Sequence, residues 1–222
     1  MNESQLRRRI VTNARLACPL VYQLVIMLRS RKEMMYLCTR SSLALRIAGL
    51  CDLCLQNAIE LNNNNVKVLK NVEDNVLKEF IYAISDTAYD PKKLVKALNG
   101  EMRQGGIKNL RNKVYKEMAK RNLIKTSKMT VYKKIIVQND EMWQLINSSI
   151  AEEIKIDCLS TRNIVLLMCL DYVNKMESIL IANNETVAKL IVDFVKAQKD
   201  KIIKRQYSQD EELIYEFLRF LI

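Results

Sequence analysis

Histidine is absent from the 222 residues, glycine occurs four times, proline twice and tryptophan once. Without an imidazole there is no Ser-His-Asp or Cys-His nucleophile and no H-E-x-x-H zinc helix. Gly49, Gly100, Gly105 and Gly106 fit neither a dinucleotide fingerprint nor a phosphate loop. Carboxylates are scattered through helical patterns with no visible pairing, although an acid and a base can come from distant positions; a protein that is not an enzyme is expected. Six cysteines, at 18, 38, 51, 54, 158 and 169, sit mostly inside apolar helical patterns, which suits reduced thiols in a cytosolic protein. Cys51 and Cys54 form a C-x-x-C in mid-helix with no second pair and no histidine to complete a zinc site. No metal and no cofactor are expected. The longest apolar run, Leu16 to Leu28, is broken by Pro19 and Gln23, lacks a small-residue cleavage site and is followed by Arg29, Arg31 and Lys32. It is too short to cross a bilayer and reads as a core helix starting near Pro19.

What the chain has instead is apolar residues and positive charge. An apolar content of 49% in a chain of this size supports one domain able to bury roughly 70% of its unfolded surface. Thirty-six Lys and Arg against twenty-five Asp and Glu leave a net charge of +11, which points to an anionic partner, either nucleic acid or an acidic membrane face.

The stretch SSLALRIAGLCDLCLQNAIEL, Ser41 to Leu61, reads as one buried helix around which the rest is arranged. Apolar residues cover most of its circumference, and Ser42, Arg46, Gly49, Gln56, Asn57 and Glu60 share the remaining stripe. Arg46 is the one cation there. Its guanidinium must meet water, a carboxylate such as Glu60 or Asp52, or a bound anion.

Downstream, Asn62 to Asn65 read as a loop followed by a short strand with Val66, Val68 and Leu69. Val76, Leu77, Phe80, Ile81 and Ile84 mark an amphipathic helix, and Asp90-Pro91 opens a short one carrying Leu94, Val95 and Leu98. Gly100, Gly105 and Gly106 bracket a link to the most basic helix, Ile107 to Asn122. Its buried stripe is Ile107, Leu110, Val114 and Met118. Lys108, Arg111 and Tyr115 form a second line, and Lys113, Lys116 and Lys120 a third. The third fits a solvated face; the second, two cations with an aromatic, is the better anion site. Met129 to Val137 reads as a hairpin turning near Lys133 and Lys134. Helices over Glu141–Glu152, Arg162–Ile181, Thr186–Arg205 and Glu211–Leu221 follow. The fold class is mainly α: a basic tail over residues 1–15 and a single compact helical domain over 16–222 with a peripheral β-hairpin.

Four segments in order resemble the Golgi phosphoprotein 3 family: SSLALRIAGLCDLCLQNAIEL, the family's S-S-x-L-R helix with a strand-like tail; ISDTAYDPKKL; the basic IKNLRNKVYKEMAKRNLIKT; and IVLLMCLDYVNKMESIL. The resemblance implies a peripheral membrane adaptor on the cytosolic face of the Golgi that binds phosphatidylinositol 4-phosphate and retains glycosyltransferases through vesicle transport. Carried over to this chain, the lipid headgroup site comprises Arg46, Lys108 and Arg111. Where the family has a tryptophan, this chain has Leu37 with Tyr36 beside it, so Tyr36 is the aromatic candidate; the link from Pro91 to Lys108 is also longer than the family's pattern. The resemblance further implies binding of coatomer by Arg7, Arg8 and Arg9 and of glycosyltransferase cytosolic tails. The hairpin, through Val131 and Tyr132, would contact the bilayer or form a homo-oligomer. From the residues alone, a solvated tail and plain packing explain these last features equally well. No nucleic acid is expected as partner, although a basic helix followed by a hairpin also describes a winged-helix unit and leaves nucleic-acid binding as the alternative.

Overall fold

The computed structural model describes residues 18–28, 39–85, 88–103, 105–128, 133–136 and 140–222, with backbone alone for 125–128 and 133–136. Its centre is built from helices with almost no polar face. Helix α1 (Leu20–Met27) starts after Pro19, whose fixed φ and free carbonyl suit a helix entry: Tyr22 N–H donates to Pro19 O at 2.9 Å. Every residue of α1 is buried. Helix α2 (Thr39–Leu55) packs against it and is buried continuously from Ala44 to Leu53.

The sequence led us to expect α2 to run on to Leu61, but it ends at Leu55. Asn57 takes a left-handed conformation (φ 51°), and its N–H and that of Ala58 return to Cys54 O and Leu53 O. That is a Schellman close. The chain then leaves as strand β1 (Ile59–Asn62), paired antiparallel with β2 (Asn65–Val68). Asn63 and Asn64, both at positive φ, make the tight turn that such a hairpin requires. The expected asparagine loop is thus the tip of a hairpin, and the strand foreseen after it has a partner in the former helix tail.

Helix α3 (Asn75–Ser85) buries the five apolar residues that its periodicity marks. Asp74 caps it, accepting from the N–H groups of Val76 and Leu77 at 2.9 and 3.0 Å. Helix α4 (Pro91–Leu98) has Asp90 as N-cap and proline in its first turn. The basic helix α5 (Leu110–Lys120) is shorter than expected because Asn109 is left-handed (φ 54°). Strands β3 (Lys125–Lys128) and β4 (Lys133–Ile136) form the second hairpin, with Lys128 opposite Lys133 and Ser127 opposite Lys134. The turn expected near Lys133 and Lys134 is therefore wrong: both lysines lie in the ladder because Lys125–Lys128 supplies the first strand.

Helices α6 (Asp140–Lys155), α7 (Thr161–Tyr172), α8 (Glu177–Ala182), α9 (Glu185–Ile203) and α10 (Glu212–Leu218) complete the domain. The helix expected over Arg162–Ile181 is two, divided at left-handed Asn174, where Asn174 and Lys175 N–H return to Asp171 O and Leu170 O. With so few glycines, asparagine repeatedly supplies the left-handed residue at a helix end. The described residues are mainly α-helical, with two small antiparallel hairpins. No helix among them is long and apolar enough to cross a membrane.

Helices α1, α2 and α7 pack on one another at the centre, and a buried ion pair fixes how. Asp52 on α2 is fully buried; it accepts from Arg162 Nη2 on α7 at 3.0 Å and from Leu20 N–H on α1 at 3.1 Å. Arg162 Nη1 also donates to Cys18 O at 3.0 Å. Burial raises the Asp52 carboxyl above its ordinary pKa, while Arg162 and the Leu20 N–H pull it back.

Gly49 lies where α2 meets α3, and a Cβ there would come within 2.4 Å of the buried Phe80 ring. Gly49→Ala should therefore lose about 1–3 kcal/mol through overpacking, outweighing a helix-propensity gain of up to about 1 kcal/mol; urea denaturation measures the difference. Arg162→Ala strands the Asp52 carboxylate and should cost about 3–5 kcal/mol at neutral pH. The folded state then holds a proton on Asp52 more readily than the unfolded chain does. The deficit should shrink as pH falls toward the carboxylate range, because lowering the pH stabilises a folded state that binds more protons than the unfolded chain.

Candidate anion-binding site

Helix α4 ends in a complete Schellman close. Gly100, left-handed at φ 82°, donates to Ala97 O at 2.9 Å and Glu101 N–H to Lys96 O at 3.0 Å. That leaves the Leu98 carbonyl exposed to a donor from elsewhere, and Arg46 supplies it: Nε donates to Leu98 O at 2.6 Å. Nη1 donates to Ser42 O at 3.0 Å and to Ser42 Oγ, and Nη2 donates to Ile107 O at 3.3 Å. The residue is 9% exposed.

No carboxylate among the described residues pairs with Arg46, which corrects the structural pair with Asp52 or Glu60 that we considered. Asp52 lies six positions further on, about 240° round the helix, and is held by Arg162. Glu60 is on β1. Carbonyl oxygens and the negative end of the α4 dipole solvate the guanidinium instead. Burial without a counter-charge pulls its pKa below the ordinary arginine value.

Ile107, whose carbonyl Arg46 holds, is the buried anchor immediately before Lys108. The structure thus brings the Lys108 segment to Arg46 across 61 residues of chain. Lys108 is exposed and lies just outside α5; Arg111 is exposed in its first turn. The N-cap Asn109 makes no side-chain cap bond, so the N-terminal N–H groups of α5 add positive potential beside both cations. Tyr115 is buried, and burial pushes its hydroxyl up to about 12 while nearby Arg111 pulls it back. The expected grouping of Lys108, Arg111 and Tyr115 on one helical line is loosened, because left-handed Asn109 breaks the helix between the first two.

The third basic line is partly neutralised. Lys113 pairs with Glu79 at 2.6 Å near the surface, where such a pair contributes little to stability, and exposed Lys120 reaches the buried Glu117 at 3.1 Å. Arg121, not singled out in the sequence, joins Asp74 at 2.6 Å and stands 5.3 Å from the Tyr22 ring centroid. Tyr22 also donates to Asp74 at 2.8 Å. These contacts tie α1, α3 and the end of α5 together, with Asp74 as hub; its cap spacing before Val76 was the available sequence signal. Tyr36, Val131, Tyr132, Arg7, Arg8 and Arg9 lie outside the described residues.

The described residues thus form a mainly helical domain in which a buried arginine holds the chain just before the basic helix. The family model described as Golgi phosphoprotein 3 (GPP34) matches residues 23–159, more than half of the chain, and the chain belongs to that family. The matched region includes Arg46, Lys108 and Arg111 but neither Arg7–Arg9 nor the late apolar helix. Membership supports a Golgi-associated role of the Golgi phosphoprotein type. No curated protein matches the chain.

The C-x-x-C has no place in this site. Cys51 and Cys54 sit within α2, and burial raises both thiols well above the ordinary cysteine value. Burial does the same to Cys169 and pushes Cys18 up to about 11. No cluster of metal-binding side chains occurs among the described residues. At pH 8 a thiol reagent should label exposed Cys158 rapidly, the half-buried Cys18 and Cys54 slowly, and the buried Cys51 and Cys169 only after unfolding; peptide mapping by mass spectrometry reads the order.

Proposed function

We propose that this chain is a non-enzymatic adaptor that reads phosphatidylinositol 4-phosphate on the cytosolic face of Golgi membranes and retains glycosyltransferases through coat-vesicle transport. The observation that carries the reading is a buried Arg46 with no carboxylate partner among the described residues, bonded to the carbonyl of Ile107, the residue before Lys108. A monoester phosphate carries up to two negative charges and several acceptor oxygens, which suits convergent cations and free N–H groups. In this reading Lys108 and Arg111 meet the headgroup and Arg46 backs them. Tyr36 takes the part of the family's aromatic. Net positive charge adds attraction to any acidic leaflet, about 1 kcal/mol per basic residue near the surface.

The remaining assignments belong to the same reading. Arg7, Arg8 and Arg9 engage coatomer, cytosolic tails of glycosyltransferases dock on the domain, and the hairpin carrying Val131 and Tyr132 contacts the bilayer or a second copy. Their support is the family's known pattern of partners and the basic composition of the tail.

Sedimentation with vesicles of matched total charge tests the headgroup. Wild-type protein should pellet preferentially with phosphatidylinositol 4-phosphate over phosphatidylserine, and Lys108→Ala with Arg111→Ala should abolish the preference while leaving residual charge-driven pelleting. Equal pelleting by wild type on both vesicles would overturn the reading; tighter, steeply salt-dependent binding to DNA or RNA would replace it.

A further inference from the structure

Arg46 makes four hydrogen bonds to the protein itself. A guanidinium has five N–H groups, and here Nε, Nη1 and Nη2 all bond oxygens of the chain: Leu98 O, Ser42 O and Oγ, and Ile107 O. Two of those acceptors stand at the two ends of the link between α4 and α5. Gly106 closes the same gap from the other side, since a Cβ there would lie 3.5 Å from Ala97 O and 3.8 Å from Gly100 Cα. The link between α4 and α5 carries Lys108. Without a fixed closure it would let Lys108 and the start of α5 wander relative to α2.

We propose that Arg46 is a positioning residue whose guanidinium clasps both ends of the α4–α5 link and so holds Lys108 and Arg111 in register. This deepens the headgroup reading and rests on it for its functional consequence, but the clasp can be tested without lipid. A lysine keeps the charge but cannot reach two carbonyls and a serine in one plane, so charge and geometry separate cleanly.

Hydrogen exchange at the amides of Asn99, Gly100 and Glu101, which are bonded to Val95 O, Ala97 O and Lys96 O, reports whether the link is closed. In Arg46→Lys these amides should exchange faster by about tenfold or more, the factor that losing a hydrogen bond from a charged group allows. In Lys108→Ala with Arg111→Ala they should exchange as in wild type. Unchanged exchange in Arg46→Lys would overturn the clasp. If that variant does not fold, Ser42→Ala decides, because it removes a single acceptor: local acceleration at the same amides supports the clasp and none overturns it. On vesicles, Arg46→Lys should lose the phosphoinositide preference as fully as Arg46→Ala; a preference kept by the lysine would mean that charge alone suffices and would overturn the positioning role. Absence of any preference in wild type would remove the headgroup reading while the exchange result still stands for or against the clasp.

Discussion

Helix α2 is buried nearly all round and yet carries two opposite charges that cannot meet. Arg46 and Asp52 are six positions apart, so they point about 120° apart round the helix and stand about 9 Å apart along it, and neither can reach water freely. An unpartnered charge inside a protein is too costly to persist. Each must therefore draw its partner from another element, and those partners set where the other elements go. Asp52 gathers the start of α1 and the side of α7. Arg46 gathers the end of α4 and the approach to α5. The hydrophobic core would bring these helices together in many arrangements; the two charges select one.

The two solutions differ in kind. Asp52 has a true counter-ion in Arg162 and a backbone donor, so its charge is compensated where it lies. Among the described residues Arg46 has only neutral oxygens, which solvate it without cancelling it. The field of that uncancelled charge adds to the uncapped N-terminus of α5 and to Lys108 and Arg111. The positive groups in this region thus come from backbone architecture as well as from side chains. Pairing of Lys113 and Lys120 with glutamates mutes part of the remaining basic face. Membership in the Golgi phosphoprotein 3 family gives these groups a biological setting.

Much of the fold was legible in the sequence because hydrophobic periodicity reports burial directly. The buried residues of α3 and the stripe Ile107, Leu110, Val114 and Met118 are those the spacing marked. Asp90-Pro91 announced α4 through cap chemistry that is local to a few residues. Helix ends were read less well. Leu55, Tyr172 and the start of α5 are set by left-handed asparagines at 57, 174 and 109, and asparagine in mid-pattern is compatible with helix, so periodicity ran through each of them. Asn63 and Asn64 likewise looked like an unstructured run until paired strands on either side made them a turn.

The sequence by itself determined that the protein is mainly helical, basic and without imidazole chemistry, and it singled out Arg46, Lys108 and Arg111, because composition, period and charge are properties of single segments. Only the tertiary structure decided what Arg46 does with its charge. Its acceptors are carbonyls 52 and 61 residues away, and every residue has a carbonyl. No residue type in the sequence therefore marks which ones will be left free at a helix end and brought within reach. A carboxylate partner would have been guessable from residue identity; a backbone partner exists only once the chain has folded.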